Sequence, residues 1–268
     1  MLRDITMGQY YPVDSFVHRL DPRTKLVWTL VYVTSLFFIR NIRLFAVAFA
    51  LLALETLLSK VPLRFMLKGM KPVIFVLLFT VVLTLFTVTG TTVLWEWRFL
   101  RITETGLYTA VYLGLRLCLM VPSSCLLTYT TTPTAITDGL EKLFGWMNRL
   151  RVPVHELAMI MSLALRFIPV LTQELDRLMK AQMARGIDFQ EGRLTERVKK
   201  LTALVIPLFV SAIRRSDELA MAMDARCYHG GEGRTHLKPL RYRSRDRVLH
   251  LLAVFYFVGM LVLSVKMQ

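Results

Sequence analysis

At 268 residues, with 54% hydrophobic side chains and a mean hydropathy of +0.48, the chain is too apolar for a soluble domain of its size. Its formal charge of +15 is therefore read against a membrane surface before a nucleic acid, because the aromatics that would stack on bases lie inside apolar runs. The three cysteines, Cys118, Cys125 and Cys227, form no C-x-x-C pair and no metal-ligand spacing; Cys118 and Cys125 read as small buried hydrophobes.

In chain order, residues 1–25 are a polar N-terminal segment without the apolar core of a cleavable signal peptide. Five stretches then read as membrane spans: Leu26–Ile39, Leu44–Leu58, Pro72–Thr89, Leu107–Thr130 and Val248–Val265. The first two are short for a hydrocarbon core that asks for about 20 residues, and flanking Arg and Lys can snorkel to cover the difference. Glu55 is the one acid well inside an early span, and snorkelling from the span's end accounts for it. The Ser59–Lys71 loop carries Lys60, Arg64, Lys68 and Lys71, and the block after the fourth span is also basic. A cytoplasmic N-terminus puts these on one side, as the positive-inside rule requires, with the C-terminus outside. On the opposite side lie the Arg40–Arg43 turn and the Gly90–Gly106 loop. There Trp95, Trp97 and Phe99 alternate with Glu96 and Arg98, the period of a short strand or hairpin, with the tryptophans anchoring at headgroup level.

Residues 131–247 are charged yet too apolar for a loop. Ile136, Leu140, Leu143, Phe144, Met147 and Leu150 share one helical stripe, the pattern of a helix lying in the interface plane. A long helix from about His155 to Arg185 follows, apolar nearly all round in its first half and narrowing to a stripe in its second; at 1.5 Å per residue it would be about 46 Å long. A second, from about Leu194 to Arg226, repeats the plan. Gly192 separates the two, and Gly230, Gly231 and Gly233 end the second. Pro169 and Pro207 are the expected hinges.

No G-x-x-x-x-G-K-[ST] occurs, so the chain lacks the phosphate-cradling loop of an ATPase. H-E-x-x-H, G-x-S-x-G and paired intramembrane carboxylates are absent too, and no catalytic residue is assigned. Cys227, His229 and His236 supply no third metal ligand at matching spacing, so no metal is expected. What the chain does carry is a repeat. Ala181-Gln182-Met183-Ala184-Arg185-Gly186 returns 41 residues later as Ala222-Met223-Asp224-Ala225-Arg226-Cys227, each time closing a long helix with an Ile-Pro step upstream. Arg in a last helical turn suits the helix dipole, and Gly186 suits the left-handed residue that stops a helix. One copy would be an ordinary capped end. Two with the same A-x-x-A-R core describe paired sockets on a partner, where small alanines let the tip enter a groove and Arg offers forked donors.

Together these motifs resemble the transmembrane T component of energy-coupling factor (ECF) transporters, the cobalt-transport Q-type family, over nearly the whole length. The resemblance rests on Gly8-Gln9-Tyr10, His18-Arg19-Leu20-Asp21-Pro22-Arg23-Thr24-Lys25-Leu26, Ser162-Leu163-Ala164-Leu165-Arg166-Phe167-Ile168-Pro169 and Ala184-Arg185-Gly186. The N-terminal string looks more like the shared vitamin type than the dedicated cobalt or nickel type. Cys227 departs from the family's glycine, which puts in doubt whether the second helix ends in the same turn.

The resemblance implies a non-catalytic coupling subunit. Its partners would be two ABC-type ATPases, which bind ATP and Mg, and one or more substrate-binding S components that select the vitamin. Ala184, Arg185, Gly186, Ala225, Arg226 and Cys227 would dock the ATPases, and Asp21, Pro22 and Arg23 would brace the cytoplasmic block or simply form a turn and positive-inside anchor. The expected architecture is an all-α membrane protein of about five spans plus an interfacial helix and two coupling helices. Its divisions are 1–25, a four-helix membrane domain 26–130, a cytoplasmic coupling block 131–247 and a last span 248–268. The rival classes are a self-sufficient channel or secondary carrier, which needs paired intramembrane charges or broken spans, and a lipid-acting enzyme, for which His155, Glu156 and Asp138 are the only material.

Overall fold

The computed structural model describes residues 10–39, 41–88, 93–97, 100–189, 193–230 and 239–266. Gly8, Gln9, Arg40, Arg98, Phe99, Gly192, Gly231, Gly233 and His236 lie outside these, as do the side chains of Trp95 and Trp97. Among the described residues there are eight α-helices: α1 (Pro22–Phe38), α2 (Ile42–Ser59), α3 (Leu63–Thr87), α4 (Glu104–Thr130), α5 (Pro133–Phe144), α6 (Val154–Ala184), α7 (Leu194–Asp224) and α8 (Ser244–Lys266). The alternating Trp segment forms β1 (Val93–Trp97), paired antiparallel with β2 (Leu100–Thr103).

Five helices are long and apolar enough to cross a membrane: α2, α3, α4, α6 and α8. The set differs from the expected one at two places. At 17 residues α1 spans only about 26 Å, whereas α6 meets the length and apolarity of a span. The expected basic loop Ser59–Lys71 is also shorter than anticipated. Lys60 turns the chain in the left-handed region (φ 57°), and α3 then starts at Leu63, so Arg64, Lys68 and Lys71 lie in its first turns. Nothing between Leu63 and Lys71 breaks a helix, and Pro72 is accommodated inside it. The amphipathic helix ends early, at Phe144. From Gly145 the chain tightens to a 3-10 turn through Leu150 and reverses at Arg151, whose φ is 62°.

The chain divides into two compact units, residues 8–139 with 240–268, and residues 140–239. In the first, α1 packs against α8 and α4, and α3 against α4. Tyr32, Leu36 and Ala48 are fully buried at its centre, where the Tyr32 hydroxyl donates to the Ala48 carbonyl at 3.0 Å. Small residues let the helices approach. A Cβ on Gly69 would stand 3.0 Å from the Cys125 sulfur, so α3 and α4 meet there almost backbone to side chain. Cys125 is half-buried as a small hydrophobe would be, while Cys118 faces outward. The C-terminal carbonyls of α1, which have no partner within their own helix, are met from other helices. The Arg116 guanidinium donates to Leu36 O at 3.0 Å, and the Ser264 hydroxyl to Phe38 O at 2.6 Å.

In the second unit α6 and α7 pack on each other, joined by an ion pair between Arg215 and Glu174 at 3.6 Å. Helix α7 begins with Glu196 accepting from the Arg193 N–H, the return half of a capping box. Both helices run unbroken through Pro169 and Pro207. Much of their apolar surface is uncovered, including Leu157, Ile160 and Met161 on α6 and Val205, Ile206 and Phe209 on α7.

Candidate functional site: two matched helix ends and a polar brace

The two helix ends are built alike, bond for bond. After α6, the N–H groups of Arg185, Gly186 and Ile187 donate to the carbonyls of Gln182, Met183 and Gln182 at 3.1, 3.0 and 3.1 Å. After α7, those of Arg226, Cys227 and Tyr228 donate to Met223, Asp224 and Met223 at 3.0, 2.9 and 3.1 Å. Every partner is displaced by the same 41 positions. Each end is a six-to-one closure with a left-handed residue in the middle: Gly186 at φ 87° and Cys227 at φ 55°. The glycine-for-cysteine departure therefore leaves the turn intact. Cys227 adopts it at the steric cost, about 1–2 kcal/mol, that a Cβ meets in this region.

Ala184, Arg185, Gly186, Ala225, Arg226 and Cys227 are all exposed. Among the described residues neither Arg185 nor Arg226 has a hydrogen-bond or ion-pair partner of its side chain. Each is a guanidinium with five donors unspent, standing on a rigid helix tip.

Asp21, Pro22 and Arg23 are the reverse case. Asp21 caps α1, accepting from the Arg23 N–H at 2.9 Å, and Pro22 occupies the first helical position. The Arg23 guanidinium forks onto both Asp21 oxygens at 3.0 and 2.9 Å and lies 3.7 Å over the Tyr242 ring. The Asp21 N–H donates to Asp246 at 3.0 Å, and the second Asp246 oxygen accepts from the Arg243 N–H at 2.8 Å. Burial raises the Asp21 carboxyl's affinity for a proton, but the Arg23 bonds outweigh it and hold the group below the ordinary carboxylate range.

Beside this, the buried Lys25 donates to Thr130 O at 2.8 Å and His18 O at 3.3 Å. His18 in turn bridges the Ser15 hydroxyl and Tyr11 O at 2.7 and 3.0 Å, and burial pushes its imidazole below its usual value. These bonds tie the N-terminal segment and α1 to the end of α4 and the start of α8.

Sequence reasoning missed Asp246, Tyr242, Lys25 and Arg116. For Asp246 a signal existed: an acid three residues after the N-cap Arg243 is the capping-box position. Tyr242 and Arg116 had none, since stacking and carbonyl-binding partners are set by tertiary contact. Glu55 also differs from expectation, because it accepts from the Trp28 indole rather than reaching for water. Among the described residues no group of three His, Cys, Asp or Glu side chains is placed to hold a metal.

Residues 14–237 match the CbiQ family, described as cobalt transport protein. The chain belongs to that family. It is 44% identical over 98% of both chains to the energy-coupling factor transporter transmembrane protein EcfT of Ruminiclostridium cellulolyticum. The EcfT of Clostridium kluyveri is 46% identical over 95% of this chain and 94% of its own, and that of Bacillus subtilis 44% over 92% and 93%. Family membership and the five apolar helices make this a multi-pass membrane protein of the transport class.

Proposed function

We propose that this chain is the transmembrane coupling subunit of an ECF importer. In this reading Arg185 and Arg226 each dock into one of two ATPase subunits, which bind ATP and Mg, and α6 and α7 carry the resulting motion to a substrate-binding S component. The observation that supports it most is the bond-for-bond identity of the two helix ends, each offering an exposed Arg whose side chain has no partner among the described residues. Equivalent tips are what two copies of one kind of partner would select. Stiff helices transmit a displacement that loops would absorb, with Pro169 and Pro207 as hinges. The exposed apolar faces of α6 and α7, with Met159, Met161, Met179, Met183, Met221 and Met223 along them, suit a re-packable contact with more than one S component. The N-terminus and residues 131–247 are placed in the cytoplasm and the C-terminus outside, in keeping with the positive-inside rule; this topology counts α1 as a span with α2, α3, α4 and α8, and keeps the apolar α6 outside the bilayer.

The cargo is a vitamin on the strength of the N-terminal string. The family's description as cobalt transport protein favours a second reading, a dedicated cobalt or nickel system. Purifying the tagged chain from its host in mild detergent and identifying what co-elutes tests both. Two P-loop ATPases with several small membrane proteins support the shared vitamin type, and a single fixed membrane partner with metal uptake supports the second. A chain that elutes alone, while control complexes survive, removes the coupling reading. The docking residues are tested by Arg185→Glu with Arg226→Glu, which is expected to abolish uptake and release the ATPases while the protein still inserts. Normal uptake in that double variant defeats the docking assignment.

A further inference from the structure

Within the unit formed by residues 8–139 and 240–268, a cavity of about 820 Å3 lies between α1, α2, α8 and the end of α4. Its wall on α8 runs from Ser244 to Leu263, about 29 Å at 1.5 Å per residue. Lys25 and Arg245 stand at one end; below them the lining is almost wholly apolar, with Leu54, Phe255 and Gly259 along its course. Glu55 lies in the wall too, already occupied by the Trp28 indole.

Charge and lining together say what fits. Of the acids nearest the basic end, Asp21 is paired with the Arg23 guanidinium, while Asp246 accepts only from the neutral N–H groups of Asp21 and Arg243 and keeps its charge. Against that one carboxylate stand Lys25 and the exposed Arg245, which leave the end net positive. Lys25 spends two of its three N–H donors on carbonyls and has one left. An anionic group is the complement of this end. The groove runs the length of an alkyl chain and is lined by apolar side chains along its course.

We propose that this groove is a phospholipid site, taking one acyl chain of an anionic lipid along α8 with the lipid phosphate against Arg245 and Lys25. The lipid comes from the leaflet on the side of the α1 N-terminus, and the assignment rests on α1, α2 and α8 being embedded in the bilayer. Lipid held there fills the space between α1, α2 and α8 and extends the contact from the Asp21–Asp246 brace down the bundle. It needs no ATPase or S component, so its failure leaves the proposed docking untouched.

Trp28 lines the groove and reports on it. The experiment uses the full chain in neutral detergent with Trp95, Trp97 and Trp146 changed to Phe, titrated with chain-brominated phosphatidylglycerol or phosphatidylcholine. Quenching of Trp28 is expected to saturate, with half-saturation at roughly tenfold less phosphatidylglycerol than phosphatidylcholine. Arg245→Gln erases that preference. Gly259→Phe, placed where an added Cβ meets nothing within 4 Å, weakens quenching by both lipids, while Gly259→Ala does not. Quenching that rises linearly and equally with both lipids means bulk solvation and overturns the site. So does quenching that disappears when the chain is purified with its native membrane partners, since a partner segment then fills the groove.

Discussion

The brace around Asp21 and the two helix ends around Arg185 and Arg226 use the same side chain to opposite purposes. Arg23 is mostly buried, its guanidinium forked onto a carboxylate and stacked on Tyr242 inside the fold. Arg185 and Arg226 sit on exposed tips, and among the described residues no donor of either guanidinium is spent. An arginine whose partners are all internal holds a structure together, and one held rigid without partners is available to another molecule. On that physical distinction the first region is expected to govern stability and the second function, and substitutions in each separate the two.

The largest effects fall at the extremes. Charge reversal at both Arg185 and Arg226 is expected to take substrate uptake to background with no change in melting temperature, measured by thermal unfolding in detergent beside an uptake assay. A large fall in melting temperature would mean the tips have a structural role and would erase the contrast. Asp246→Ala is expected to do the opposite. It strips the acceptor from two backbone N–H groups in a buried setting, at about 2 kcal/mol, and the melting temperature falls accordingly. Retained stability would show that the bonds at α8 are easily replaced.

Acid titration probes the same region. His18 is held below its usual value by burial, so its contribution is complete above about 6.5 and declines as pH drops from there. Asp21 is held below the ordinary carboxylate range by Arg23, so its contribution persists until pH falls below about 3.9. Stability against pH is expected to show two descending steps on the acid side. His18→Gln removes the upper one and Asp21→Asn the lower; a variant that leaves its step in place refutes the assignment.

Much of this was legible in the chain. Long apolar runs fixed the helices because a bilayer leaves the backbone few alternatives, and the repeated A-x-x-A-R pattern located both ends to within two residues. Less legible was anything decided by contacts across the fold. That Cys227 could take the glycine turn depends on the six-residue closure around it, not on its side chain. The length of α3 was obscured because Lys60, Arg64, Lys68 and Lys71 look like a loop, although lysine and arginine are good helix formers. The apolarity of α6 exceeds what an interface helix needs, and composition alone does not separate burial against a partner from burial in lipid. The brace was seen from one side only: Asp21-Pro22-Arg23 is contiguous, while its counterpart Asp246 is 225 residues away.

Smaller effects sharpen the contrast at the tips. Cys227→Gly removes a Cβ from the left-handed region and is expected to stabilise the α7 end by about 1 kcal/mol, and Gly186→Ala to destabilise the α6 end by a similar amount. Amide exchange of Ile187 and Tyr228 reads both. Equal and opposite changes would establish that the two closures are the same device. An unchanged Tyr228 in Cys227→Gly would mean that strain at Cys227 is relieved elsewhere.

The smallest effect on stability is expected at Glu174 and Arg215, the ion pair between α6 and α7. Their side chains are 24% and 37% exposed, and pairs of that kind contribute under about 1 kcal/mol, so Glu174→Gln should hardly move the melting temperature. Its consequence lies in transmission. Arg215 has its Nε buried without a hydrogen-bond partner, so the terminal nitrogen's link to Glu174 is what fixes the guanidinium between the helices. If α6 and α7 move as one body when the tips are displaced, loosening that link lowers uptake several-fold while the ATPases stay bound. If uptake is unchanged, the helices are held by their apolar contacts alone, and each tip can then move without the other.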